Sequence, residues 1–494
     1  MLNLLLALLT AALLILTFPR FDLSWLAAAA LAPLLIAVTR ETRLLQRFLL
    51  GWVTGIVYWF GTCYWIQYVL EVYGGMGTFG SWGAFLLFCL FKALHLAVFA
   101  LAAGVVMKRW YALPAVAALW VAIEATHGPL GFAWQTLGNA GIDMGIPMRL
   151  APYTGVYGLS FVFVMLNAAL ALVALRRSRK ELIWLAVLPL LYLLPPLPEA
   201  ERGTQRAALV QPNISETEEW TSDSLRATEQ RLGYLSLQAA LGSGSPAPEL
   251  LIWPEVPAPF YFYEDAVFRT ATTDLARLSR TSFLFGTVGH SQSGAPLNSA
   301  VMLGPDGSYK GRYDKMYLVP FGEFLPPFVD FVNKITSEAG DFEPGKNLTV
   351  FRNGDHRIGS FICYEAVFPH FVRKFAANGA DVLVNLSNDG YFGRSAAREQ
   401  HLKIVRMRAA ENRRWILRAT NNGITAVVDP AGRVLERLPS YRQEALLGRF
   451  TYIQKTTPYT RLGDWFAWLC GAASITALAA SLVSCGGLRA RRRS

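Results

Sequence analysis

The stretch Arg357-Ile358-Gly359-Ser360-Phe361-Ile362-Cys363-Tyr364-Glu365 decides the fold. Its apolar residues make a run of strand length that stops at a thiol. The helix-like run 366–377 follows at once and is closed by the stop signal Asn378-Gly379. The same alternation extends in both directions. Short runs of buried character stand at 207–211, 250–253, 283–288, 300–303, 358–363, 382–386, 415–419 and 424–428, and helical patterns at about 224–240, 264–279, 366–378 and 397–413. Strands and helices in this order predict an α/β domain, a sheet covered by helices, with its chemistry where strands end and loops begin.

Outside this region the sequence turns apolar. Of 494 residues, 53% are hydrophobic and only 16% charged, too apolar for a plain soluble enzyme. A bilayer-crossing helix needs about 20 apolar residues. Eight runs approach that length: 2–18, 23–38, 48–72, 81–107, 111–125, 151–175 and 182–195 ahead of the α/β region, and 465–483 behind it. The first lacks the basic n-region and cleavage site of a signal peptide. The expected division is a seven-span region at 1–198, an α/β domain at 199–462, and an eighth helix with a basic tail at 463–494. Glu124 and His127, near the end of the fifth run, read either as interfacial residues or as contacts for a lipid headgroup.

A net charge of +11 raises nucleic acid as a partner until the charge is located. Residues 200–462 carry 30 Lys and Arg against 27 Asp and Glu, so the excess lies among the apolar runs. Arg40, Arg43 and Arg47 follow the second run; Lys108 and Arg109 follow the fourth; Arg176, Arg177, Arg179 and Lys180 follow the sixth. Arg489, Arg491, Arg492 and Arg493 follow the eighth. Basic loops stay in the cytoplasm, so every even span is expected to end inside. Both termini are then cytoplasmic and the α/β domain lies outside. The charge reports membrane topology, and nucleic acid drops out as a partner.

Three reactive residues stand at strand ends. Glu255 follows Leu250-Leu251-Ile252-Trp253-Pro254, where partial desolvation suits a carboxylate to acid or base work. Lys315 sits among aromatics and prolines in the segment 313–323, where an ammonium needs a partner or a task. Cys363 is the lone thiol of the domain; it is either a small buried hydrophobe, a crosslink or a nucleophile. Its place ahead of a helix predicts a lowered pKa, with the backbone N–H groups after it as an oxyanion hole. His290, His356, His370 and His401 show no catalytic or zinc-ligand spacing, so no metal or cofactor is expected from the sequence, and a Cys/His dyad or metal site would have to be assembled by folding.

Taken together, Trp253-Pro254-Glu255, Lys315 with Phe321-Gly322-Glu323, Cys363-Tyr364-Glu365 and the segment 385–393 resemble the nitrilase, or carbon-nitrogen hydrolase, superfamily. With apolar spans around them, they resemble its membrane-bound, lipoprotein-acylating branch. Gly131-Phe132-Ala133-Trp134, the segment 155–161, Arg406-Met407-Arg408-Ala409 and Thr420-Asn421-Asn422-Gly423 extend the likeness over nearly the full length. The resemblance implies a nitrilase-like α-β-β-α sandwich inserted between spans seven and eight of an inner-membrane bundle, working as a monomer. It implies a Glu255, Lys315 and Cys363 triad that moves an acyl chain from a glycerophospholipid, through a Cys363 thioester, to the α-amine of a diacylated lipoprotein.

The resemblance also assigns supporting roles. Glu323 would orient Lys315 or Glu255, Tyr364 and Glu365 would order the cysteine loop, and Asn298 would stand near the site. Trp220 would lie on a mobile loop near the entrance, or else is a plain surface aromatic at a helix start. Tyr391 occupies a position where the family often has Trp, which leaves stacking possible and removes any indole-specific contact. The apolar loops 260–263 and 319–332, the latter with Phe321, Phe324, Phe328 and Phe331, read either as core or as surfaces that touch the bilayer and guide an acyl chain. The rival readings are a membrane-anchored amidase that releases its acyl group to water, and a transporter or receptor with an outside sensory domain.

Overall fold

The computed structural model describes residues 1–130, 132–242, 247–320, 322–324 and 342–491, with side chains through Val483. Gly131, Phe321, Phe328, Phe331 and the tail residues Arg492 and Arg493 lie outside the described residues. The chain forms two compact units. One comprises residues 1–67, 79–197 and 462–494; the other comprises 68–78 and 198–461.

The first unit is helical. Among the described residues, three helices are long and apolar enough to cross a membrane: Gly77–Val106, Val156–Ala174 and Trp465–Val483. The pair Leu44–Thr62 and Trp65–Val72, bent by 61°, makes a fourth if counted as one span. Leu2–Thr17 and Ala112–Ala125 are apolar but shorter. Two expected spans take another form. The run 23–38 is split into a 3₁₀ turn, Ser24–Ala28, and a helix, Ala32–Arg40. The run 182–195 lies in a 3₁₀ helix, Arg179–Leu193, that contains Pro189, which has no N–H for an α-helical bond. At roughly 2.0 Å per residue such a segment is longer than an α-helix of the same residue count.

Small residues let these helices approach closely. A side chain at Gly51 would overlap the Leu96 backbone, and one at Gly55 would meet Ala93. Asn167 satisfies a helix start in trans: its Oδ1 accepts from the Leu31 and Ala32 N–H groups at 2.6 and 3.0 Å. Glu124 is buried among the helices. It is 4% exposed and accepts from Leu137 N and Ser160 Oγ at 2.6 Å each and from Trp120 Nε1 at 3.1 Å.

Among its described residues the second unit contains twelve strands: β1 Gln205–Gln211, β2 Leu250–Ile252, β3 Ser282–His290, β4 Pro296–Leu303, β5 Tyr309–Asp314, β6 Val350–Asn353, β7 His356–Ile362, β8 Val382–Ser387, β9 Ile416–Thr420, β10 Ala426–Val428, β11 Val434–Arg437 and β12 Glu444–Phe450. They form two six-stranded sheets, in the orders β12-β1-β2-β3-β4-β5 and β11-β10-β9-β8-β7-β6. The centres are parallel, β1 with β2 and β3 in one sheet and β7 with β8 and β9 in the other, and the flanks are antiparallel. Central strands are therefore buried on both faces, which explains their continuous apolar runs.

Helices Ser222–Leu241 and Ala266–Ser279 cover the first sheet; Pro369–Ala377 and Ala397–Asn412 pack on the second. The core on the helical side of the first sheet joins Leu232, Leu235, Phe268 and Leu275 of the helices to Leu251, Trp253, Phe283 and Phe285 of the strands. Phe260 and Phe262 belong to this core at 2% and 5% exposure, and Phe260 stacks on Phe268 at 4.4 Å. In the loop 260–263, Phe260 and Phe262 are thus core, while Tyr261 is 38% exposed and Tyr263 partly buried. Aromatic area is better removed from water by the neighbouring helix, which lies directly over it.

Candidate active site

Glu255, Lys315 and Cys363 follow β2, β5 and β7, so each reactive side chain is carried by a turn at a strand end. The turn at Glu255 needs close backbone approach. Gly286 of β3 faces it, and a side chain there would collide with Pro254 and Val256, whose φ is +26°. Cys363 also has positive φ, +47°, at the start of the 3₁₀ turn Cys363–Val367. A non-glycine residue holds such a conformation only when its surroundings enforce it.

Those surroundings are visible. Glu365 accepts from Ile362 N at 2.7 Å through one oxygen. Its other oxygen accepts from Tyr313 OH at 2.6 Å, Met316 N at 2.7 Å and Tyr317 N at 3.2 Å. One wholly buried carboxyl thereby ties the cysteine turn to the lysine loop. Burial pushes its pKa up to about 7, against the pull of these donors. Behind Cys363, His401 bridges the Cys363 carbonyl oxygen at 3.1 Å and Asp389 Oδ1 at 3.0 Å. His401 thus contacts the backbone of the cysteine through Nε2. Asp389 in turn accepts from Arg418 at 2.6 Å, and both side chains are fully buried.

Lys315 joins the carboxylates. Its Nζ donates to Glu255 Oε1 and to Glu323 Oε1, at 2.9 Å each. Asn298 Nδ2 reaches the same two oxygens at 2.8 Å. Glu323 is held by Val319 N at 2.8 Å, and the second oxygen of Glu255 by Asn388 N at 2.9 Å. Burial works against the Lys315 charge, but Glu255 and Glu323 override it and keep the ammonium well above its ordinary pKa.

The thiol departs from expectation. Burial and then the Glu255 charge push the Cys363 pKa up, while Lys315 pulls it down without prevailing. The approaching helix end does not compensate, because the α-helix begins only at Pro369, beyond the 3₁₀ turn. Burial thus favours the neutral form of the Cys363 thiol, and the Glu255 charge acts in the same direction.

The remaining expected residues divide. Tyr364 is buried beside Phe368, with ring centroids 5.3 Å apart. Tyr391 packs edge-on against Tyr73 of the segment 68–78 at 4.9 Å. Burial of its hydroxyl end, with Glu216 and Glu255 nearby, pushes its pKa up, although 46% of the residue is exposed. Trp220 is exposed ahead of the helix Ser222–Leu241, and among the described residues no hydrogen bond or ring contact links it to the three reactive residues. Phe321 lies outside the described residues. Sequence reading gave no role to Glu216, Asn388, Asp389, His401 or Arg418. Asn388 and Asp389 lie in a quoted segment, but Glu216 carries no local pattern, and His401 and Arg418 meet Asp389 only through folding.

Residues 206–450 match the carbon-nitrogen hydrolase family, and residues 10–169 match the apolipoprotein N-acyltransferase N-terminal domain. The apolipoprotein N-acyltransferase of Geobacter metallireducens is 35% identical, with 96% of this chain and 95% of that protein covered. That of Azotobacter vinelandii is 34% identical, with 94% and 92% covered, and that of Pseudomonas putida is 31% identical, with 93% of each covered.

Proposed function

Because the chain belongs to the apolipoprotein N-acyltransferase family, we propose that it moves an acyl chain from a membrane glycerophospholipid to the α-amine of the diacylglyceryl-cysteine that begins an apolipoprotein. The observation that carries the reading is the pairing of Lys315 with Glu255 and Glu323, at 2.9 Å each, beside a neutral thiol whose charge both Glu255 and Lys315 influence.

In the first half-reaction Glu255 takes the Cys363 proton as sulfur attacks the ester carbonyl. Lys315 and the first N–H groups of the turn Cys363–Val367 stabilise the oxyanion. The ester C–O bond breaks, Glu255 returns its proton to the departing lysophospholipid oxygen, and the acyl group remains as a thioester. In the second, the acceptor amine attacks that thioester and gives a proton to Glu255. The C–S bond breaks, the amide forms, and Cys363 regains its proton. Splitting ester-to-amide exchange in two lets donor and acceptor use one site in turn, and both proton transfers close without a cofactor.

The basic loops support an inner-membrane protein with both termini cytoplasmic, the α/β domain of 199–462 periplasmic, and the spans in the flanking sequence 1–198 and 463–494. A monomer suffices, since the three reactive residues come from one chain.

An amidase releasing its acyl group to water would share the triad. Purified protein with labelled phospholipid and no acceptor should hold a hydroxylamine-sensitive label on Cys363, absent in Cys363→Ala. A diacylated lipopeptide with a free α-amine should discharge that label, and an N-blocked one should not. Release as free fatty acid without acceptor, or equal discharge by both peptides, would favour the amidase.

A further inference from the structure

Glu216 stands on the loop after β1, in the first sheet, yet its partners come from the second. Its Oε2 accepts from Asn388 Nδ2 at 2.8 Å. Its Oε1 accepts from Asn421 Nδ2 at 2.8 Å and Asn422 Nδ2 at 3.2 Å. Asn388 follows β8; Asn421 and Asn422 follow β9. One carboxylate therefore gathers three neutral amides from two loops across the sandwich. Asn421 returns the connection, donating to Ile214 O and accepting from Ile214 N at 2.9 Å each. Gly390 closes the pocket from the β8 loop, and a side chain there would overlap the Glu216 carboxylate.

The same Asn388 that Glu216 holds by its side chain holds Glu255 by its backbone N–H, at 2.9 Å. We propose that Glu216 is a positioning residue for acyl transfer: by anchoring the Asn388 side chain, it places the Asn388 N–H that orients the Glu255 carboxylate toward Cys363. The inference rests on the reading of Glu255 as the base. A small displacement of a proton-transfer group costs much in rate, and Lys315 and Asn298 reach only the other Glu255 oxygen.

Glu216 also has the charge to make this arrangement pH-sensitive. Burial pushes its carboxyl up to about 7, and Glu255 pushes the same way, against the three amides. The ionisable groups facing it are Glu255, Tyr391 and Tyr73, with Arg398 behind Asn422, whose carbonyl oxygen it meets at 3.0 Å. Protonation below about 7 would turn one acceptor oxygen into a donor facing an amide N–H, loosening Asn388.

The test uses the full-length protein in vesicles. Cys363 acylation from phospholipid is followed as hydroxylamine-sensitive label, and Cys363 alkylation by iodoacetamide is followed in parallel. Glu216→Ala should slow both by on the order of ten- to a hundredfold. Glu216→Gln, which like the protonated acid turns one acceptor into a donor facing an amide, should hold both rates near the slow acid-limb level of the wild type at every pH and so remove the acid limb near neutrality. The double variant with Asn388→Ala should be no slower than the slower single variant, since both act through one tether. Wild-type rates in Glu216→Ala, an unchanged acid limb in Glu216→Gln, or additive losses in the double variant would overturn the proposal. If the wild type takes no acyl label, the acyl-enzyme reading fails, and the alkylation rates still decide the role of Glu216. If Glu216→Ala does not fold, the pH profile of Glu216→Gln decides it.

Discussion

The Lys315 ammonium and the Glu255 carboxylate lie 2.9 Å apart with their side chains 1% and 8% exposed. A pair so far from water is weak evidence of stability, since taking both charges out of solvent opposes their attraction. Its retention at the end of two strands points to chemistry. Removing the Lys315 charge leaves two buried carboxylates uncompensated, whereas removing the Glu255 charge leaves Lys315 still paired with Glu323.

Lys315→Met should leave Glu255 and Glu323 facing each other without a cation, losing about 3–5 kcal/mol of stability and at least roughly a hundredfold in acyl-enzyme formation. Glu255→Gln keeps Lys315 paired with Glu323, so it should fold nearly normally and lose a comparable factor in rate through proton transfer alone. Thermal unfolding and single-turnover labelling of Cys363 measure the two effects separately. A normal rate in either variant would remove that residue from the mechanism.

The Cys363 thiol is pushed up by burial and by Glu255. Alkylation by a small neutral reagent should keep climbing beyond pH of about 8.5, where an ordinary thiol is half ionised. Lys315→Met should move the curve further upward, because Lys315 is the charge that favours the thiolate. A rate already level at pH 7 would mean a resting thiolate and a different division of labour.

Asp389 and Arg418 meet at 2.6 Å with no exposed surface on either side chain. Asp389→Asn should cost about 3–5 kcal/mol, read as a lower melting temperature, and should disturb the Cys363 turn through His401. Burial alone would raise the Asp389 pKa, but Arg418 and His401 hold it well below the ordinary range. Its contribution to stability is therefore full above pH of about 3.9, the unfolded value, and is lost as pH falls through the lower folded value. An acid-unfolding curve that does not change in Asp389→Asn would contradict this assignment.

Topology is tested with unique cysteines. Gln292→Cys, on an exposed turn of the α/β unit, should react with an impermeant reagent in intact spheroplasts, whereas Thr42→Cys, exposed in the first basic loop, should react only after lysis. Reaction of both, or of Thr42→Cys alone, would reverse the orientation.

The central strands were legible from the residues alone, because β1 to β4 and β7 to β10 are buried on both sides and announce themselves as apolar runs. The sequence did not show β5, β6, β11 and β12. These four are the outermost strands of the two sheets, where one flank meets solvent and the composition turns polar, as in Tyr309-Lys310-Gly311-Arg312-Tyr313-Asp314. The same division holds at the site. Glu255 and Cys363 were legible as candidates because a reactive residue at the end of an apolar run is a local signal; Lys315, which follows the polar β5, stood out only as an ammonium among aromatics and prolines and through the chain order of the three. Glu216, His401 and Arg418 were not legible, because each acquires its role from a partner on another element. Local sequence encodes burial and strand ends. Only the packing of two sheets decides which carboxylate meets which amide, and therefore that Glu216 and Glu255 share Asn388.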